Sequence, residues 1–282
     1  MTQKTGATAA GQWIQAGVCY RAYVPAPLPP ALQFDANTDA LIQAAVLRAQ
    51  TALSALSASA LPDVNPAGHL RREAAASVLL DAGDRALQQD SQSQIDAVVD
   101  ATDYGVERMQ RLPLSLRLLC ELHAELMRGQ PGSGEFRRHQ TWSGPVGSAP
   151  ATADYVPVPP GKLPELLGDW ERYLHAEDQT HDFIRLALLH AQFDSLQPFA
   201  QGSERLNRLL IHLILIDRGW IAAPQLIVSE AIAAQGETYA TRLRAVRNAA
   251  DWSGWLLFFL QLLADAATAS GVSSDTSAPP SP

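Results

Sequence analysis

The tightest constraint on this chain is a pair of stretches that are helical in period yet apolar almost all round. Phe183 to Leu196 carries Leu186, Ala187, Leu188, Leu189, Ala191 and Phe193, and Leu206 to Ile216 carries Leu209, Leu210, Ile211, Leu213, Ile214 and Leu215. A surface helix shows one apolar stripe, whereas a helix apolar on every side has to be enclosed by other elements. The enclosing elements are legible as further 3.6-residue patterns. They fall at about 39–56 (Leu41, Ile42, Ala45, Val46 and Leu53 on one face), 68–80, 93–129 in two pieces, 163–175, 225–235, 238–248 and 252–267. The two buried helices themselves are predicted over 182–196 and 203–218. With 282 residues the chain can bury a large core, and the pattern predicts an all-α bundle.

Punctuation refines the layout. Pro25, Pro27, Pro29 and Pro30 predict an extended N-terminal segment over 1–36. Asn37 or Thr38 is expected to cap the first helix, the Leu61 to Pro66 stretch to break the pattern, and Gly83 to close the second helix. Pro113 fits the first turn of the second piece of 93–129. The stretch 131–160 holds four glycines and six prolines, with β-prone pieces around Trp142 and Tyr155, and reads as a loop carrying a β-hairpin. The implied units are a helical region at 37–92, a core domain at 93–268 and a disordered tail at 269–282. No internal repeat is present.

Composition excludes several classes. Lys plus Arg number 21 against 29 Asp plus Glu, a formal charge of −8, with no basic stripe for nucleic acid. The apolar runs 206–216 and 255–263 are too short for a bilayer, and no signal-peptide core follows Met1, so no membrane partner and a cytoplasmic location are expected. Cys19 and Cys120 lie in no metal or CxxC spacing and are expected to be buried or half-buried thiols. The histidines form no ligand cluster, so no zinc site is expected. The oligomeric state stays open.

The loop between the buried helices has the character of an anion site. Gly202 lets the backbone turn tightly before the helix, and the free amides of the first helical turn, with the helix dipole, form a phosphate cradle. Arg205 and Arg208, three residues apart, share a helical face and can reach one anion together. On spacing alone, two arginines near a helix start are more often surface or structural ion-pair residues.

The segment from Gln197 to Arg208 resembles the signature of the Fic family, His-Pro-Phe-x-(Asp/Glu)-Gly-Asn-(Gly/Lys)-Arg-x-x-Arg. It keeps Pro198, Phe199, Gly202, Arg205 and Arg208 in register and departs at Gln197, Gln201, Ser203 and Glu204. Further landmarks follow in order over about 20–262: Pro25 to Pro30, Arg72 to Ser77, Leu112 to Ser115, Gly134 to Arg137, Tyr155 to Pro157, His190 to Phe193, and Asp251-Trp252. They are similar to the subfamily with an inhibitory N-terminal helix. The resemblance implies a Fic-type helical bundle with one β-hairpin flap, transfer of AMP from ATP with Mg²⁺ to protein hydroxyls, and a protein target held at the flap near Trp142 and Tyr155 by strand addition. It also implies nucleotide binding at Gly202, Ser203, Glu204, Arg205 and Arg208. The inhibitory motif (Ser/Thr)-x-x-x-Glu-(Gly/Asn) aligns with Ser77 to Ala82, which makes Ser77 and Asp81 the regulatory residues.

The departures bear on each chemical part. Gln197 stands where the family's general base stands and cannot accept a proton, a loss worth about 10²- to 10⁴-fold in rate. His190, about two turns upstream, reads as a core histidine. Gln201 replaces the Mg²⁺-binding acid with a neutral amide. Glu204 sets a carboxylate where phosphates would dock, and like charges about 4 Å apart repel by about 4 kcal/mol at an effective dielectric of about 20. That carboxylate is expected to bond the first-turn amides or pair with Arg205 or Arg208. Trp170, Trp252, Trp255, Phe258 and Phe259 are expected in the core. The resulting expectation is a pseudoenzyme or a binding and regulatory protein. The alternative is an active transferase with another donor, using Arg205, Arg208 and the loop amides.

Overall fold

The side chain of Asp35 opens the first helix. Its carboxylate accepts the amide of Thr38 at 2.8 Å and the Thr38 hydroxyl at 2.9 Å, so Asp35 and not Asn37 or Thr38 is the cap. An anion also suits the positive end of the helix dipole. The computed structural model describes residues 10–58, 66–82 and 91–275. The expected Gly83 cap and the break at 61–65 lie outside them, as do 1–9 and 276–282 of the two terminal segments.

The helices are α1 Ala36–Ala58, α2 Pro66–Ala82, α3 Ser91–Met109, α4 Leu116–Leu126, α5 Leu163–Leu174, α6 Asp182–Leu196, α7 Ser203–Asp217, α8 Val228–Ala234, α9 Gly236–Ala249 and α10 Trp252–Asp275. The architecture is all-α with one two-stranded antiparallel hairpin. As the apolar composition requires, α6 and α7 pack against each other with nearly every side chain buried. Around them α2 and α3 touch α7, α5 touches α6, and α10 touches α1, α6, α8 and α9. Trp170, Trp252, Trp255 and Phe259 are buried as expected, and Phe258 is half-buried.

Several expectations change. The hairpin belongs to the N-terminal segment: β1 Gly11–Gln15 pairs with β2 Arg21–Pro25 in the register Trp13 opposite Tyr23. In 131–160 the expected hairpin reduces to a single bridge between Ser143 and Tyr155. Packing explains the difference. Trp13 and Tyr23 pack on Tyr155 at ring separations of 6.0 and 6.4 Å, and the Tyr23 amide donates to the Val156 carbonyl at 2.9 Å. The prolines that suggested an extended segment begin only where the ladder ends. Pro113 precedes α4 and is not in its first turn, because Ser115 caps that helix through the Leu118 amide.

Helix α10 runs to Asp275, past the expected boundary at 268 and into the segment expected to be disordered. Its stretch Trp252–Gly271 is long and apolar enough to cross a membrane, which the shorter runs read from sequence did not suggest. Here Trp255, Leu256, Phe259, Leu260, Leu262 and Leu263 are buried against neighbouring helices. Cys19 is exposed, contrary to expectation, because it sits in the turn between β1 and β2; Cys120 is half-buried.

Candidate functional site

The site is built where α6 stops and α7 starts. Gln197 ends α6 in the left-handed region, with φ of 40°, and its amide bonds the Phe193 carbonyl at 3.1 Å. Its own carbonyl is held by Arg137, whose guanidinium also donates to the carbonyls of Leu196 at 3.2 Å and Val158 at 2.5 Å. Arg137 is 5% exposed, has no carboxylate partner among the described residues, and is pushed down to about 10 by burial. It is a buried cation answering the unpaired carbonyls at a helix C-terminus.

The loop is then pinned from below. Phe199 is buried and stacks on His123 with ring centres 3.8 Å apart. The Gly134 amide donates to His123 Nδ1 at 2.9 Å, so the ring proton resides on Nε2 and is donated to the Gln201 carbonyl at 2.9 Å. Burial holds His123 below the usual imidazole range. Gly202 turns with φ of 74°, a backbone that favours glycine, and a Cβ there would meet Met127 Sδ at 2.8 Å, so that side chain would have to shift. Ser203 differs from its expected role. Its hydroxyl accepts the Phe199 amide at 3.0 Å and donates back to the Phe199 carbonyl, which closes the loop instead of facing a ligand.

Beside the start of α7 lies a cavity of about 1120 Å³, lined in part by Asp81, Gln201, Gly202, Glu204, Arg205, Arg208 and Tyr239. Asp81 bridges both arginines: Oδ2 accepts from Arg205 Nε at 2.8 Å and Oδ1 from Arg208 Nη2 at 2.6 Å. Ser77 completes the hold on Arg208, accepting Nε at its hydroxyl and Nη2 at its carbonyl, both at 2.9 Å. Arg205 donates further to Gln94 at 3.1 Å. Ser77, Asp81, Arg205 and Arg208 are thus one network.

Glu204 meets a first-turn amide, its own, as one of the two expectations had it, and adds a side-chain partner that was not expected. It accepts a bond from Gln197 Nε2 at 3.0 Å, while Asp81 takes the arginines. The carboxylate is exposed on the cavity yet crowded by protein. Desolvation raises its pKa, its own amide opposes the shift, and the nearby Asp194 and Asp81 charges add to it. Among the described residues no three His, Cys, Asp or Glu side chains are grouped to hold a metal. Gln201 is neutral and both Asp81 oxygens are already bonded to arginines, so these donors do not fit the family's Mg²⁺.

His190 is placed as the core histidine that the sequence suggested. It is 2% exposed, bonded through Nε2 to the Tyr239 hydroxyl at 2.6 Å, and pushed down to about 3, by burial first and then by Arg208. Of the two flap aromatics, Trp142 is 41% exposed and bonds the Ser148 carbonyl. Tyr155 is 7% exposed: its hydroxyl donates to the Ser195 carbonyl at 2.6 Å, and Arg247 lies over its ring at 4.3 Å. Tyr155 is therefore a core post and cannot meet a target. Sequence reasoning missed His123 and Arg137 as supports of the loop. Arg137 had a signal, as the charge in the Gly134 to Arg137 landmark; His123 had none, since its partners lie 11 and 78 residues away.

Residues 113–215 match the model of the Fic/DOC family. Among curated relatives, the protein adenylyltransferase Fic of Drosophila virilis is 30% identical over 116 residues, covering 40% of this chain and 22% of that protein. The Drosophila melanogaster protein is 28% identical with the same coverage. The match thus spans about a fifth of these relatives' length. Among solved structures, a Fic family protein from Desulfovibrio desulfuricans G20 superposes with a TM-score of 0.60 at 20% identity, over 88% of this chain and 78% of that one. Fic-1 from C. elegans follows with a TM-score of 0.56 at 18% identity, over 85% and 74%. IbpAFic2, in a structure covalently tethered to Cdc42, gives 0.52 at 17% identity, over 83% and 72%. Residues 113–215 are therefore similar to the Fic/DOC family and to protein adenylyltransferases, and they lie in a helical bundle of the Fic type.

Proposed function

We propose that this Fic-domain protein has lost nucleotide transfer and acts as a binding or regulatory protein through the cavity beside α7. One observation carries the reading: Asp81 already occupies both arginines that would hold phosphate. Gln197, in the place of the family base, can neither accept a hydroxyl proton nor leave its bond to Glu204 without exposing that carboxylate to the incoming phosphates. In this reading α2 is an inhibitory helix acting through Ser77 and Asp81, the partner is a cytoplasmic protein, and the exposed Trp142 surface is where it docks. The IbpAFic2 complex with Cdc42 supports a protein partner by analogy of fold.

The test is label transfer. The purified protein is incubated with labelled ATP, CTP, GTP or UTP, Mg²⁺ or Mn²⁺, and lysate, beside a variant carrying Gln197→His, Gln201→Asp, Ser203→Asn and Glu204→Gly. Incorporation by the restored variant alone is expected. Incorporation by the unmodified protein would overturn the reading and establish the alternative, a transferase with another donor that relies on the surviving Gly202 turn and arginine pair.

A further inference from the structure

The cavity beside α7 is short of available positive charge. Among the described residues that line it stand five carboxylates and three guanidiniums, and each guanidinium is already engaged. Arg205 and Arg208 are held by Asp81, and Arg128 is shared between Glu125 and Asp100. Asp96 is paired with Arg71 at 2.8 Å. Glu204 differs from these four acids. It is exposed on the cavity, no ion pair among the described residues reaches it, and its side-chain partner is the neutral amide of Gln197.

That carboxylate is held against its surroundings. Desolvation is the first cause of its raised pKa, and Asp194 and Asp81 add to it, while its own amide and Arg208 offset only part. An ionised group short of a counter-ion destabilises the free protein and is relieved when a cation arrives. The cation that suits it is organic. A divalent metal needs several oxygen donors at once, and no such group of side chains exists among the described residues. A guanidinium needs one carboxylate, can meet both its oxygens with a planar fork, and is weakly hydrated, so it loses little on entering a partly desolvated site.

We propose that this cavity receives a guanidinium group, with Glu204 as the carboxylate that holds it. The ligand is thus opposite in charge to a nucleotide's phosphates. The inference rests on the reading of the cavity as a binding site and adds the class of ligand. At about 1120 Å³ the cavity has room for the arginine side chain of a partner protein or for a free small cation.

Calorimetric titration of the full-length chain at pH 8 tests the assignment, with ethylguanidinium as the free cation and acetyl-Gly-Arg-Gly-amide as the carrier of an arginine side chain. Saturable binding of at least one is expected, weaker by about tenfold or more in Glu204→Gln. That variant keeps an oxygen for the Gln197 amide, so the loop stays closed. The citrulline counterpart of the peptide, similar in shape and uncharged, should bind no more tightly to the wild type than to Glu204→Gln. Tighter binding of the peptide assigns the guanidinium to a protein side chain, and tighter binding of ethylguanidinium assigns it to a free cation; either result supports the site. No saturable binding of either cation, or binding that Glu204→Gln leaves unchanged, overturns it. Such a failure without label transfer removes only the ligand class, whereas label incorporation by the unmodified protein removes the reading of lost transfer itself.

Discussion

Replacing Arg137 by Met removes the clamp on the α6 terminus while keeping most of the apolar stem. The guanidinium makes three good bonds, to the carbonyls of Gln197 at 2.8 Å, Val158 at 2.5 Å and Leu196 at 3.2 Å. Bonds to a charged group contribute about 1.5–3 kcal/mol each. Against this stands the desolvation that pushes Arg137 down to about 10, a cost of about 3 kcal/mol to the charged form. The surplus, with the stranded carbonyls included, is about 3 kcal/mol of destabilisation. For a chain of this size that lowers the midpoint of thermal unfolding by about 6–12 °C. Urea unfolding followed by the fluorescence of the six tryptophans measures it. Arg137→Lys should recover about half, since a point charge serves fewer carbonyls than a planar fork. An Arg137→Met protein within about 0.5 kcal/mol of the wild type would refute the view that this cation supports the loop.

Other outcomes follow from the same network. His123 and His190 are both held below the ordinary imidazole range, His190 at about 3. The unfolded chain thus binds more protons, and their contribution is complete above about pH 6.5 and lost as pH falls, about 2 kcal/mol by pH 5 from His190 alone. Urea midpoints at pH 8 and pH 5 should separate less in His190→Phe, and an unchanged separation would show that this ring is not the source. Glu204 has a raised pKa, so its ionisation costs stability as pH rises through that value. Glu204→Gln should therefore stabilise the protein at pH 8 and not below about pH 4.5, and equal effects at both pH values would argue against the charge explanation. Tyr155→Phe strands the buried Ser195 carbonyl and should cost about 1–2 kcal/mol, whereas Trp142→Ala, at the surface, should stay within about 0.5 kcal/mol; reversed magnitudes in urea unfolding would contradict the assignment of post and surface.

Much of the site was legible as a location. Gly202 announced a tight turn, Arg205 and Arg208 announced a charged helical face, and the structure places both arginines on one cavity. Asp81 was legible only as the acid of the aligned inhibitory motif. That one carboxylate bridges Arg208 and Arg205 depends on how α2 docks on α7, across 124 and 127 residues of chain. Glu204 was read as a partner of the first-turn amides or of the arginines; its own amide reaches it, and Asp81 takes the arginines. Tyr155 looked like a flap aromatic because its neighbours in sequence are loop residues; its burial comes from Trp13, Tyr23 and Arg247, which arrive from both ends of the chain.

What the sequence determined by itself is the enclosure of α6 and α7, since side chains apolar on every face leave water whatever surrounds them, and the turn at Gly202, since few other residues tolerate that backbone. The tertiary structure alone decided which polar groups meet. Local periodicity states which face of a helix is buried, but a hydrogen bond forms or fails over a few tenths of an ångström. The bridging of both arginines by Asp81, the clamp of Arg137 and the docking of β2 on Val156 therefore exist only once the helices have packed.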